Sequence, residues 1–144
     1  MRNTRKILVA LLVLMTILVS LAAVTIPASA ADNLFTVGDT LYLSPNSNWT
    51  QSSARFAAYF FGDGGNTWVS MTKDSTSGYY KVTVPSGSWK AVIFCRMNPS
   101  ASANNWNNKW NQTGDIYANT LGTNNHVTIN NGQWDCGANY KADH

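Results

Sequence analysis

Trp106, Lys109, Trp110, Asn111 and Gln112 stand close together in a stretch that is otherwise Ser, Ala and Asn. Two indoles among amide side chains, with almost no aliphatic neighbours, make a poor core and a good surface. An indole offers a flat apolar face, and the amides and the lysine offer hydrogen-bond donors and acceptors. Such a surface suits a ligand that is flat, uncharged and rich in hydroxyls, because every buried hydroxyl needs a polar partner. A sugar ring fits that description. Tyr59 and Trp68 flank the glycine-rich turn at 62–66 and add an aromatic pair on consecutive strands. Tryptophan is highly buried on average, so no single indole carries the argument. Trp89 and Trp134 are assigned mainly to the core, and Trp68 equally to core and surface. One of Trp106 and Trp110 is assigned to holding the loop.

Other chemistries find less support. All seven acidic residues are Asp, and there is no Glu. Glycoside hydrolysis generally needs two carboxyl groups flanking the scissile bond. Asp63, Asp74, Asp115 and Asp135 are the available candidates, but most lie in turn-like sequence, where Asp bonds its own backbone. No nucleophile elbow, zinc-protease motif or Cys/His constellation occurs. His126 is the only histidine away from the C-terminus, and a lone strand histidine is more often structural. Asp63-Gly64-Gly65-Asn66 lacks the spaced acidic ligands of a calcium loop and reads as a turn. No catalytic residue, metal site or cofactor is expected.

The elements that must position these side chains are short strands. Residues 90–116 hold the central one: Ala91, Val92, Ile93, Phe94 and Cys95 form an apolar β-prone run that breaks at Asn98-Pro99 into the amide-rich loop. Further strands are expected at 40–43, 55–61, 68–71, 79–84, 115–117 and 126–129, with a final edge segment at 133–135 and a ragged end. In 55–61, Phe56, Ala58 and Phe60 face one way and Arg55, Ala57, Tyr59 and Phe61 the other. Trp49 falls in a polar loop at 46–53. No sustained helical period appears. The pattern predicts an all-β fold, a single sandwich or barrel of short strands separated by Gly, Asn, Pro and Ser turns.

The first residues read as an export signal. Arg2, Arg5 and Lys6 form a basic start, residues 7–24 are apolar, and Ala28-Ser29-Ala30 offers a cleavage site. The competing reading is a retained membrane anchor, since the apolar run approaches spanning length. With a signal at 1–30, residues 31–144 form one secreted or cell-surface domain, with no membrane association after cleavage. The formal charge of the 144-residue chain is +3; loss of Arg2, Arg5 and Lys6 leaves seven basic residues against the seven acids. A near-neutral domain argues against a nucleic-acid partner, which needs clustered Lys and Arg. Cys95 and Cys136 permit one disulfide outside the cytosol. Two separate thiols, with Cys95 buried, are the other reading.

The succession ARFAAYFFGDGGNTWVSMT, GYYKVTVP, KAVIFCRMNP and WNQTGDI resembles bacterial starch-binding modules of carbohydrate-binding module families 25 and 26. Tyr59-Phe60-Phe61, Trp68 to Met71, Gln112-Thr113 and Asp115 carry the likeness, which spans about residues 40–135. It implies a β-sandwich with an immunoglobulin-like arrangement of short antiparallel strands. It also implies non-catalytic binding of starch, α-1,4-glucan or maltooligosaccharide, and a secreted amylolytic partner. Tyr59 and Trp68 would be the platform and Gln112 a hydrogen-bonding group, with Lys109 and Asn111 as further contacts. The family's usual Trp-Pro-Gly is Trp68-Val69-Ser70 here, and the loop 99–111 is longer. That loop either supplies Trp106 or Trp110 as a platform or covers the site. The alternative to sugar binding is a secreted interaction or structural domain that kept the sandwich alone.

Overall fold

The computed structural model describes residues 33–134 and 140–143. The expected signal segment, Cys136 and Asp135 lie outside them. The fold is all-β with one short helix. In chain order the strands are β1 (Thr40–Ser44), β2 (Arg55–Gly62), β3 (Gly65–Ser70), β4 (Thr72–Lys73), β5 (Tyr80–Thr83), β6 (Ala91–Met97), β7 (Lys109–Gln112) and β8 (Ile116–Tyr117). The helix α1 (Ala118–Leu121) follows, then β9 (His126–Ile129) and β10 (Tyr140–Asp143). One sheet has the order β10-β9-β1-β5-β4; the other runs β3-β2-β6-β7, with β8 also paired to β6.

Both sheets feed one apolar cluster. Leu41, Leu43, Val82, Val127 and Ile129 come from the first sheet, and Phe56, Ala58, Phe60, Val92, Phe94 and Ile116 from the second. Period-two alternation places them there, since successive side chains leave a strand on opposite faces. β6 departs from alternation: all of its residues are buried. Ile93, Cys95 and Met97, with Ala57 of β2, form a second cluster against which Tyr59, Phe61 and Trp68 pack. The second sheet is therefore apolar on both faces around β6.

The strand expected at 68–71 begins at Gly65, because Asp63-Gly64 makes a tight two-residue hairpin loop and Gly62 already pairs Gly65. Gln133 and Trp134 of the segment expected at 133–135 are not in a strand, Asp135 lies outside the described residues, and β10 pairs with β9 instead, Tyr140 opposite Ile129, where a ragged end was expected. The pair β1–β9 is parallel, where antiparallel strands were expected, and the remaining pairs are antiparallel. Trp49 leaves its polar loop for the core, fully buried and stacked on Phe56 with centroids 6.2 Å apart. Trp134, expected in the core, is instead 43% exposed.

The β2 end abuts the 85–90 turn tightly. A Cβ at Gly62 would lie 2.4 Å from the Ser88 carbonyl oxygen, and Lys90 N donates to Phe61 O at 3.0 Å. Backbone on backbone cannot yield as a flexible side chain would. Gly62→Ala is expected to destabilise the protein by about 1–3 kcal/mol, the usual cost of overpacking. Urea denaturation followed by tryptophan fluorescence would show a lower midpoint.

Candidate functional site

β2 and β3 set the first two rings. Tyr59 and Trp68 are direct cross-strand partners, with centroids 4.9 Å apart and planes inclined by 53°. Phe61 extends the row at 5.7 Å from Tyr59. The buried floor of Ala57, Ile93, Cys95 and Met97 lies on the same face of the sheet. Burial pushes the Cys95 thiol up to about 12, so it stays protonated, and it is a free thiol in the structure. Its proposed partner Cys136 lies outside the described residues.

The loop after β6 folds back onto this face. Arg55 holds it: Nε donates to Asn98 O at 3.1 Å and to Ala101 O at 2.7 Å, and Nη2 to Ala103 O at 2.7 Å. Nη1 donates to Asn104 Oδ1, and Asn104 Nδ2 reaches Ser70 Oγ of β3 at 2.9 Å. Asn105 then caps a 3₁₀ turn, Trp106–Asn108, by accepting from Asn108 N at 3.0 Å. These bonds deliver Trp106 edge-on to both of those rings, 4.7 Å from Tyr59 and 4.8 Å from Trp68. Trp106 is still 44% exposed. Lys109 lies beside it, Nζ 5.7 Å from the indole centroid and donating to Gln112 Oε1.

β7 divides the expected ligand residues between its two sides. Lys109 and Gln112 join Tyr59, Trp68 and Trp106. Trp110 and Asn111 turn to Arg96: the guanidinium carbon is 4.6 Å from the Trp110 centroid, and Nη1 donates to Asn111 Oδ1 at 3.2 Å. A β-bulge between Arg96 and Met97 shifts the register here and leaves Trp110 without a cross-strand partner. Arg96 is itself buried, which lowers its pKa, but a guanidinium stays protonated. Gln112-Thr113 is locked to β6, since Phe94 N donates to Thr113 Oγ1 at 3.0 Å and Thr113 N to Phe94 O at 2.9 Å.

Arg55, Arg96 and Trp134 were not among the expected site residues. Arg96 carried a readable signal: it shares the inward parity of Val92 and Phe94 in an apolar strand, where a charge needs a special reason. Arg55 carried none, because its partners are carbonyls of a distant loop. Among the described residues the carboxylate candidates Asp63, Asp74 and Asp115 lie in separate segments. Asp63 pairs with Lys90, and Asp74 with Lys81 at 2.9 Å, while Asp115 is exposed before β8. Among the described residues no group of His, Cys, Asp or Glu is arranged to hold a metal ion.

The chain matches no protein-family model, no curated protein and no solved structure.

The thiol offers a check on the covered face. A thiol with so high a pKa presents almost no thiolate at pH 8, and thiolate is the reactive form. Iodoacetamide is expected to leave Cys95 unmodified in the native protein and to alkylate it in guanidinium chloride. Peptide mass spectrometry reads both states; ready native labelling would mean that the loop does not seal this face.

Proposed function

We propose that the protein is a non-catalytic carbohydrate-binding module for α-1,4-glucan, with its two sheets facing across the shared core as an immunoglobulin-like β-sandwich. The observation that carries the reading is the gathering of Tyr59, Trp68 and Trp106 on one sheet face with Lys109 and Gln112 beside them. Stacking faces and hydrogen-bonding groups are the two things a pyranose needs. The 53° inclination of Tyr59 to Trp68 favours a chain whose sugar faces turn along an arc. An α-1,4-glucan curves in that way, whereas a flat β-linked chain suits coplanar platforms. The resemblance of the ARFAAYFFGDGGNTWVSMT and WNQTGDI segments to the starch-binding families supports the same ligand.

In this reading residues 1–30 direct a bacterial protein to the outside of the cell. There it holds starch near a secreted amylolytic partner. One open, wet site of this size gives modest affinity, because little area is buried against the cost of association.

A second reading keeps the fold and discards the sugar, leaving a secreted interaction or structural domain. The edge-on packing of Trp106 against Tyr59 and Trp68 favours it, since those contacts occupy platform area.

Affinity electrophoresis in gels containing soluble starch, pullulan, dextran or xylan separates the two. Starch and pullulan are expected to retard the protein, with dextran and xylan inert. Trp68→Ala should weaken retardation about tenfold, or about 1.4 kcal/mol. Retardation by starch that withstands both Trp68→Ala and Trp106→Ala would move the site off this face. No retardation in any gel would sink the glucan reading and leave the interaction domain.

A further inference from the structure

The far side of β7 carries a second aromatic surface that the site above does not use. Trp110 is 40% exposed and Trp134 is 43% exposed. Both lie against the same group: the Arg96 guanidinium carbon is 4.6 Å from one indole centroid and 5.5 Å from the other. Two partly exposed indoles thus share one support, drawn from segments distant in sequence.

The support is built with unusual completeness. Arg96 is 5% exposed and spends its donors on the protein: Nε on Trp49 O at 2.8 Å, Nη2 on Gln51 O at 2.7 Å and Nη1 on Asn111 Oδ1 at 3.2 Å. The guanidinium plane is therefore fixed, and so are the rings resting on it. The Trp134 segment is tied down separately. Trp49 Nε1 donates to Trp134 O at 2.6 Å, and buried Asn46 donates from Nδ2 to Asn130 O at 2.6 Å and Gln133 O at 2.8 Å. Rings fixed in advance lose little entropy on binding, which is the condition for a useful stacking platform.

The surrounding chemistry selects the occupant. Arg96 is almost wholly buried and each of its nitrogens already donates to the protein, so it offers little to an anion. Its charge behind the indoles disfavours a cationic ligand. The side chain that shares Arg96 with the indoles is an amide, Asn111 on β7, and Gln51, whose carbonyl Arg96 also holds, donates from Nε2 to Asn48 Oδ1 at 3.3 Å on the exposed surface. Apolar ring faces edged with amides suit neutral sugar rings, as on the first face.

We propose that Trp110 and Trp134, propped by Arg96, form a second binding site for glucan rings. The protein is then bivalent for its polysaccharide. This rests on the glucan reading and extends it. Lys109 and Gln112 serve one site and Trp110 and Asn111 the other, so a single edge strand separates two ligand segments. Two weak sites on one small body raise retention on a polymer without any stronger contact, and they let one molecule bridge two chains.

The test is a titration of the ¹⁵N-labelled protein with a maltooligosaccharide, read at the indole Nε1 resonances of its six tryptophans. Resonances of Trp110 and Trp134 are expected to shift, along with those of Trp68 and Trp106. In Trp68→Ala the Trp110 and Trp134 shifts should persist with their own saturation curve. Calorimetric stoichiometry should fall from two sites to one in the Trp110→Ala, Trp134→Ala double variant, with about a tenfold loss of retention on starch. Shifts confined to Trp68 and Trp106, with one site per chain, would overturn the second site and leave the glucan reading standing. Shifts confined to Trp110 and Trp134 would uphold this site and remove the first. No indole shift at any sugar concentration would overturn both.

Discussion

A strand buried on both faces must be covered on both, and β6 is such a strand. Val92 and Phe94 point into the cluster that the two sheets share, while Ile93, Cys95 and Met97 point the other way. The first sheet contributes no residue to that second cluster. Cover there comes from aromatic side chains of β2 and β3 and from the loop folded over them. Burying a large apolar side chain stabilises by about 1.5–3 kcal/mol, so leaving this face bare would cost several times that. The aromatic face is thus a consequence of β6 before it is anything else, and the proposed glucan binding would be a second use of rings the fold already requires.

The loops are held by arginine rather than by regular structure. Arg55 binds the carbonyls of Asn98, Ala101 and Ala103, and Arg96 those of Trp49 and Gln51. Irregular backbone near a core strands its carbonyls, and a guanidinium can satisfy several at once because its donors are fixed in a fork. Among the described residues neither arginine has a carboxylate partner within salt-bridge distance; the ion pairs found are Lys81–Asp74 and Lys90–Asp63. Each arginine therefore acts as a rigid multiple donor placed under a loop. Each also sets tryptophans: Arg55 through the loop that carries Trp106, Arg96 through the two indoles it touches. These two arginines shape the aromatic surfaces of the domain, Arg96 from a buried position and Arg55 from a partly buried one.

Much of this was legible in the sequence, for physical reasons that differ by element. Alternation in β2 showed its two faces, since Phe56, Ala58 and Phe60 against Tyr59 and Phe61 leave no other arrangement. The glycine-rich turn at 62–66 put Tyr59 and Trp68 on consecutive strands, though the hairpin turns at Asp63-Gly64 and its second strand begins earlier than expected. What alternation cannot show is which loop crosses which face. Lys109, Trp110, Asn111 and Gln112 read as one continuous site, yet the strand conformation and the bulge at Arg96 divide them between two sides. Trp49 and Trp134 exchanged their expected places for a related reason. The buried indole has a polar sequence around it because that segment spends its polar groups on Trp134 and its neighbours. The parallel pairing of β1 with β9 and the position of β10 are long-range pairings, on which local pattern is silent.

The packing of Trp106 raises the one conflict between covering and binding, and magnitudes decide it. Edge-on aromatic contacts contribute about 0.5–1.5 kcal/mol each beyond area burial. Trp106 makes two, to Tyr59 and Trp68. Its loop does not depend on them, since the bonds of Arg55, Asn104 and Asn105 hold the backbone whichever way the indole lies. In the proposed glucan complex a side-chain rotation would exchange ring–ring contacts for ring–sugar contacts of similar worth without unfolding the loop. The gain from a sugar would be what remains after that exchange, which is a further reason to expect weak binding from one such face. The proposed second set of rings across β7 would require no such exchange, because Trp110 and Trp134 each rest on Arg96. A pair of modest sites is what two such faces, covered to different degrees, would produce.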